Sequence, residues 1–190
     1  RHGVRLKFGI NLHDPALLET LSIGAPTLIV TVCSFVTTSV MTSMSLVAVP
    51  EQGSSIQYYA RLWYTLPYAV FAIPITVALF TEMSESFAKG RLGRFAKQVS
   101  SGMGQVIFVL IPFALFLIVF SRPLMSLLRI GQFGAESASL TAAYLSTLSL
   151  ALPFYGLSTF FQKVFSSMRR MVLFALSNIV ASVAQVVFTV

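Results

Sequence analysis

Long apolar runs separated by short polar interruptions organise this chain, the pattern of helices that cross a bilayer. A transmembrane helix needs about 20 mostly apolar residues, and five stretches qualify: residues 21–49, 54–80, 102–120, 140–161 and 171–190. The pattern predicts an all-α, polytopic transmembrane helix bundle. Ahead of the first run, RHGVRLKFGINLHDPALLET (residues 1–20) mixes basic and apolar residues and reads as an amphipathic, cytoplasmic lead. Asp14-Pro15 supplies a helix start, because Asp caps and Pro suits the first turn. The connection TEMSESFAKGRLGRFAKQVS follows the second run. Its Phe87, Leu92 and Phe95 predict a helix over residues 82–100 lying on the membrane surface, with these three toward lipid. SRPLMSLLRIGQFGAES reads as a short Gly-containing loop before the fourth run.

Proline falls inside the runs at Pro26, Pro67, Pro74, Pro112 and Pro153. Bent helices are tolerated in membranes where neighbours or water satisfy the freed carbonyls, and in transporters they line cavities and act as hinges. Together the prolines favour a transporter over a simple anchor. Small residues at Ser137, Ser139, Ala142, Ala143, Ser146 and Ser149 suit close helix packing.

Composition strengthens the reading. The 190 residues are 56% hydrophobic and 10% charged, with a mean hydropathy of +0.82, whereas soluble domains are about 25% charged. One soluble core cannot hide so much apolar surface. The net charge of +7 is scattered in clusters between the runs, so it indicates topology rather than nucleic-acid binding. Arg1, Arg5 and Lys7 precede the first span, and only Glu51 lies between the first and second. Lys89, Arg91, Arg94 and Lys97 lie between the second and third, Arg122 and Arg129 next, then Lys163, Arg169 and Arg170. This alternation predicts a cytoplasmic amino-terminal end. The chain opens at Arg1 and its last apolar run reaches Val190, which reads as an internal piece of a longer protein.

The chemistry-bearing residues are sparse. His2 and His13 both lie in the lead; Asp14, Glu19, Glu51, Glu82, Glu85 and Glu136 sit at span ends or in loops. The single cysteine, Cys33, excludes a disulfide framework, and no metal-ligand spacing is present. Neither an enzyme nor a cofactor or metal site is expected, because convergent acid–base groups are lacking. One residue stands out. Arg61 lies inside an apolar run, where a charge at the bilayer centre costs roughly 2.5–3.5 kcal/mol. On a helix it shares a face with Gln57, Tyr58, Tyr64, Thr65 and Tyr68. Two readings stand: a cavity-facing guanidinium that grips phosphate with Tyr58 and Thr65 beside it, or a side chain snorkelling to the outer headgroups. Asn178 and Gln185, seven apart, read as interhelical glue.

GAPTLIV in the first span, YYARLWYTLPYAVFAIPITVALFTEMSESFAKG and PLMSLLRIGQF resemble the MurJ (MviN) family, bacterial lipid II flippases of the multidrug/oligosaccharidyl-lipid/polysaccharide exporter superfamily. Tyr58, Tyr59, Ala60, Pro67, Ser84, Gly131 and Phe133 carry the likeness, which covers nearly the whole chain. The resemblance implies the middle, seventh to eleventh, helices of a transporter with about fourteen. It also implies a cationic cavity in a bacterial cell membrane that receives a lipid-linked peptidoglycan precursor while the lipid tails stay among membrane lipids. The family pattern places an arginine at Leu62 and an acidic residue at Thr65, so Arg61 is offset by about 100° around the helix. Thr81 and Leu128 replace the usual proline and phenylalanine. Other branches of the superfamily, exporting another lipid-linked glycan or a drug, remain open. So does a non-transporting scaffold for cell-wall synthesis proteins.

Overall fold

The structure, a computed structural model, describes residues 15–127 and 134–189, with side chains from residue 24 onward. The expected lead up to Asp14, the loop residues Leu128, Arg129, Gly131 and Phe133, and Val190 lie outside the described residues. The described chain is helical, with no strand among the described residues. In order come α1 (Pro15–Ala48), α2 (Gly53–Pro67), a π-helical turn (Tyr68–Ala72), α3 (Ile73–Ala88), α4 (Leu92–Ser126), α5 (Ala135–Ser149), α6 (Leu152–Ser167) and α7 (Met171–Thr189). Four segments are long and apolar enough to cross a membrane, and the bent pair α5–α6 makes a fifth. The expected bundle of membrane-spanning helices is therefore present.

Several boundaries differ from expectation, each for a local reason. The first helix begins at Pro15, in line with the Asp14-Pro15 start and ahead of the apolar run from residue 21. The second span extends from Gly53 to Ala88 through the π-turn. Pro74 has no N–H to give the preceding turn. The turn widens there, and the N–H of Ile73 reaches back five residues to the Tyr68 carbonyl. The fourth span is broken, with α5 and α6 meeting at a 52° bend. Pro153, in the first turn of α6, cannot donate to the carbonyl of Ser149. The chain tightens instead, with Leu150 N–H donating to Thr147 and Ala151 N–H to Leu148.

The single surface helix expected over residues 82–100 is not formed. Residues 82–88 complete α3 and residues 92–100 open α4. Between them Gly90 has φ +66°, a left-handed conformation that costs glycine little. Gly90 N–H donates to Phe87 and Arg91 N–H to Ser86, a Schellman closure that stops α3 and reverses the chain. Phe87 and Phe95 meet each other, with ring centroids 5.5 Å apart, and Phe95 packs on the core. Only Leu92 of the three apolar residues stays well exposed. The joined helices are 36 and 35 residues long, about 54 Å at 1.5 Å per residue. They exceed a hydrocarbon layer about 30 Å thick, so continued helix replaces a segment lying flat.

The core forms around α4. Its buried stripe is Gly102, Val106, Leu110, Ala114, Leu117, Ser121 and Met125, spaced by three or four, so one side of the helix faces inward. Against it pack α3, α5 and α6, while α2 packs on α5. In α5 the small residues Ser137, Ala142 and Ser149 are buried as expected for close packing, whereas Ser139 and Ala143 face outward. Gly156 of α6 leaves room for Leu110, since a Cβ there would overlap the leucine's Cδ1. Helices α1 and α7 pack together as a second unit, with Val30, Phe174 and Ala175 at their seam. A Ser137 hydroxyl donates to the Gln52 side chain, holding the start of α5 beside the α1–α2 turn.

Candidate functional site

The α1–α7 pair leaves a cleft of about 450 Å³ against α2, α5 and α6. Its lining follows from helical spacing. On α2, Gln57, Arg61, Tyr64 and Thr65 fall at intervals of three or four, so one face presents all four. Ser34, Thr37 and Thr38 of α1 stand across from them. Asn178, Ser182 and Gln185 of α7 form a third polar row, and Tyr144 of α5 and Tyr155 of α6 complete the wall.

The cleft is polar without being acidic. Among the described residues no carboxylate lines it, and Arg61 is its only cation. An ion pair, Lys89–Glu85, lies far from this cleft in sequence. Hydroxyls of the α1 row bond back along their own helix, Ser34 to the Val30 carbonyl at 2.9 Å and Thr37 to that of Cys33 at 2.9 Å. Such back-bonding satisfies the hydroxyl hydrogen and leaves oxygen lone pairs turned outward. Thr42 donates across to the Gln57 side-chain carbonyl at 2.8 Å, which ties α1 to α2 just above Arg61.

The three sequence-proposed site residues are distributed between two hollows. Arg61 and Thr65 line the cleft. The Thr65 hydroxyl donates to the Arg61 backbone carbonyl at 2.7 Å, so it offers a ligand an acceptor rather than a donor. Tyr58 lines an adjoining groove with Thr38, Ser54 and Arg61. Its ring meets Tyr59 edge-on at 5.7 Å. Of these three residues only Arg61 belongs to both hollows, which also share Thr38 and Gln57. Asn178 and Gln185, read from sequence as helix-joining residues, both reach the cleft wall, and Gln185 also donates to the Met41 sulfur at 3.0 Å.

Sequence reasoning missed the α1 hydroxyl row, Ser182 and the two tyrosines of α5 and α6. A signal existed for the first: Thr27, Thr31, Ser34, Thr38 and Thr42 recur at three- and four-residue intervals, one polar face along an apolar helix. Tyr155 carried no such signal, because the break before α6 sets its direction.

Helices of spanning length, two of them interrupted, around a polar cleft that holds an arginine define a polytopic membrane protein. The chain belongs to the family described as lipid II flippase MurJ, whose profile matches residues 1–190. It is 30% identical over 129 residues to the probable lipid II flippase MurJ of Borreliella burgdorferi, an overlap covering 67% of this chain and 26% of that protein. It is 26% identical over 156 residues to the probable lipid II flippase MurJ of Rhizobium meliloti, covering 82% of this chain and 29% of that one. The chain thus spans under a third of the length of the curated relatives it matches. No solved structure matches it.

Proposed function

We propose that this chain is part of a flippase that carries a lipid-linked peptidoglycan precursor across the bacterial cytoplasmic membrane. The observation that carries the reading is Arg61: a cation with no carboxylate partner among the described residues, in a cleft of hydroxyls and amides between apolar helices. A guanidinium offers planar, two-pronged donors that match phosphate oxygens. The surrounding hydroxyl and amide groups suit the sugars and peptide attached to it, and the lipid tail stays outside among membrane lipids. Alternating access about the cleft would then move the head group without breaking a bond, so the protein is a transporter rather than an enzyme. Family membership supports this choice of substrate. Cells depleted of their essential flippase are expected to survive when supplied with the full-length protein. Death despite normal membrane insertion would remove the assignment.

The reading requires a fixed orientation. Lys89, Arg91 and Arg94 cluster at the α3–α4 turn, whereas the α1–α2 turn carries Glu51 and no basic residue, and basic loops stay cytoplasmic. In intact cells, a cysteine at Gln52 is expected to react with an impermeant thiol reagent, and one at Gly90 only after permeabilisation. The reverse pattern would contradict the orientation.

A further inference from the structure

Two of the membrane-spanning segments are interrupted, and the interruptions meet. The π-turn Tyr68–Ala72 divides α2 from α3, and the 52° bend divides α5 from α6. Tyr155, in the first turn of α6 just beyond the bend, sets its ring against Tyr64 at 5.6 Å and Tyr68 at 5.0 Å. These two tyrosines flank Pro67 at the start of the π-turn. On its other side, Phe71 of the π-turn stacks on Phe113 at 4.7 Å, next to Pro112 inside α4. Packing divides at the same level: α2 rests on α5, α3 rests on α6, and α4 runs unbroken beside both halves.

We infer that this level is a hinge: α2 with α5 and α3 with α6 move as two half-bundles, and Tyr155 is the positioning residue that couples their bends. The backbone permits it. A π-turn holds one residue more than a regular helix would and commonly marks functional sites. Pro74 and Pro153 leave carbonyls at both breaks without helical partners, so changing either bend sacrifices few hydrogen bonds. Aromatic rings in edge contact tolerate tilting while keeping contact. Because Tyr64 and Tyr155 also line the Arg61 cleft, a ligand there would bias the bend. That last link rests on the transport reading; the hinge itself does not.

The test uses spin labels at Leu140 and Lys163, which straddle the α5–α6 bend, on the full-length protein in lipid nanodiscs. The wild-type protein is expected to give two distances. Deleting Val70 removes the extra residue of the π-turn and restores a regular helix with both flanking faces in register. That deletion, or Pro74→Ala if the deletion variant fails to insert, is expected to collapse the α5–α6 pair to one distance, although neither change lies in α5 or α6. Adding Tyr155→Leu should restore two distances, whereas Tyr155→Phe should not. A single distance in the wild-type protein, or two distances unaffected by both π-turn variants, would overturn the hinge. Translocation of a fluorescent lipid-linked precursor separates the two layers of inference. It should fall at least tenfold with unchanged binding when the distances collapse, and full turnover at that point would overturn the link to the cleft.

Discussion

Arg61→Ala in the full-length protein is expected to lower translocation of the lipid-linked precursor by roughly 10- to 100-fold while leaving expression and insertion intact. A hydrogen bond to a charged group is worth about 1.5–3 kcal/mol, and each 1.4 kcal/mol is about a factor of ten in affinity. Insertion should not suffer, because an apolar residue replaces a charge that costs roughly 2.5–3.5 kcal/mol at the bilayer centre. Arg61→Lys should recover part of the loss: the charge survives, but the planar fork that fits two phosphate oxygens does not. Equal activity for lysine and arginine, with alanine nearly harmless, would mean the side chain only reaches for headgroups. The comparison is made by initial rates in proteoliposomes at matched protein content.

A second large effect is expected at Gly156, and it concerns folding. A Cβ at this position would overlap Leu110 Cδ1 and approach Val106 Cγ1 to 3.2 Å. Leu110 and Val106 are both fully buried, so neither has space to swing into. Overpacking of this kind costs typically 1–3 kcal/mol. Gly156→Leu is expected to prevent α6 from seating on α4 and to yield aggregated protein after detergent extraction. Gly156→Ala should lower the thermal midpoint, and Leu110→Val should recover part of that loss by withdrawing the overlapping methyl. Additive losses in the double variant would show that the contact is not what limits the site.

The membrane-spanning character was legible because it depends on composition and run length, which no tertiary contact overrides. The last apolar run shows this, since the helix α7 (Met171–Thr189) lies within it. The connection over residues 82–100 shows the opposite case. Its charges and three apolar residues suit a surface helix as well as two helix ends, and Gly90 decides between them only through the hydrogen bonds of the turn it permits. Pro153 was visible as a bend, but its size depends on how α5 and α6 each pack on α4. Pro67 and Pro74 likewise marked a disturbance without specifying a π-turn. At the cleft, Arg61 was conspicuous because a charge in an apolar run is expensive. Its neighbours Gln57, Tyr64 and Thr65 followed from helical periodicity on the same element. The opposing walls did not, because Ser34, Tyr155 and Asn178 come from helices whose pairing with α2 is set by packing alone.

The most direct test is a translocation assay on the purified full-length protein in sealed liposomes. The probe is a fluorescent lipid II analogue with its pyrophosphate intact, beside a matched lipid bearing the same label on an uncharged head group. The expected result is protein-dependent inward-to-outward movement of the pyrophosphate lipid, at least tenfold faster than in protein-free liposomes, with the uncharged lipid left at the background rate. Equal rates for both lipids, or no acceleration of the pyrophosphate lipid by correctly inserted protein, would contradict a cationic cleft that moves an anionic lipid head group.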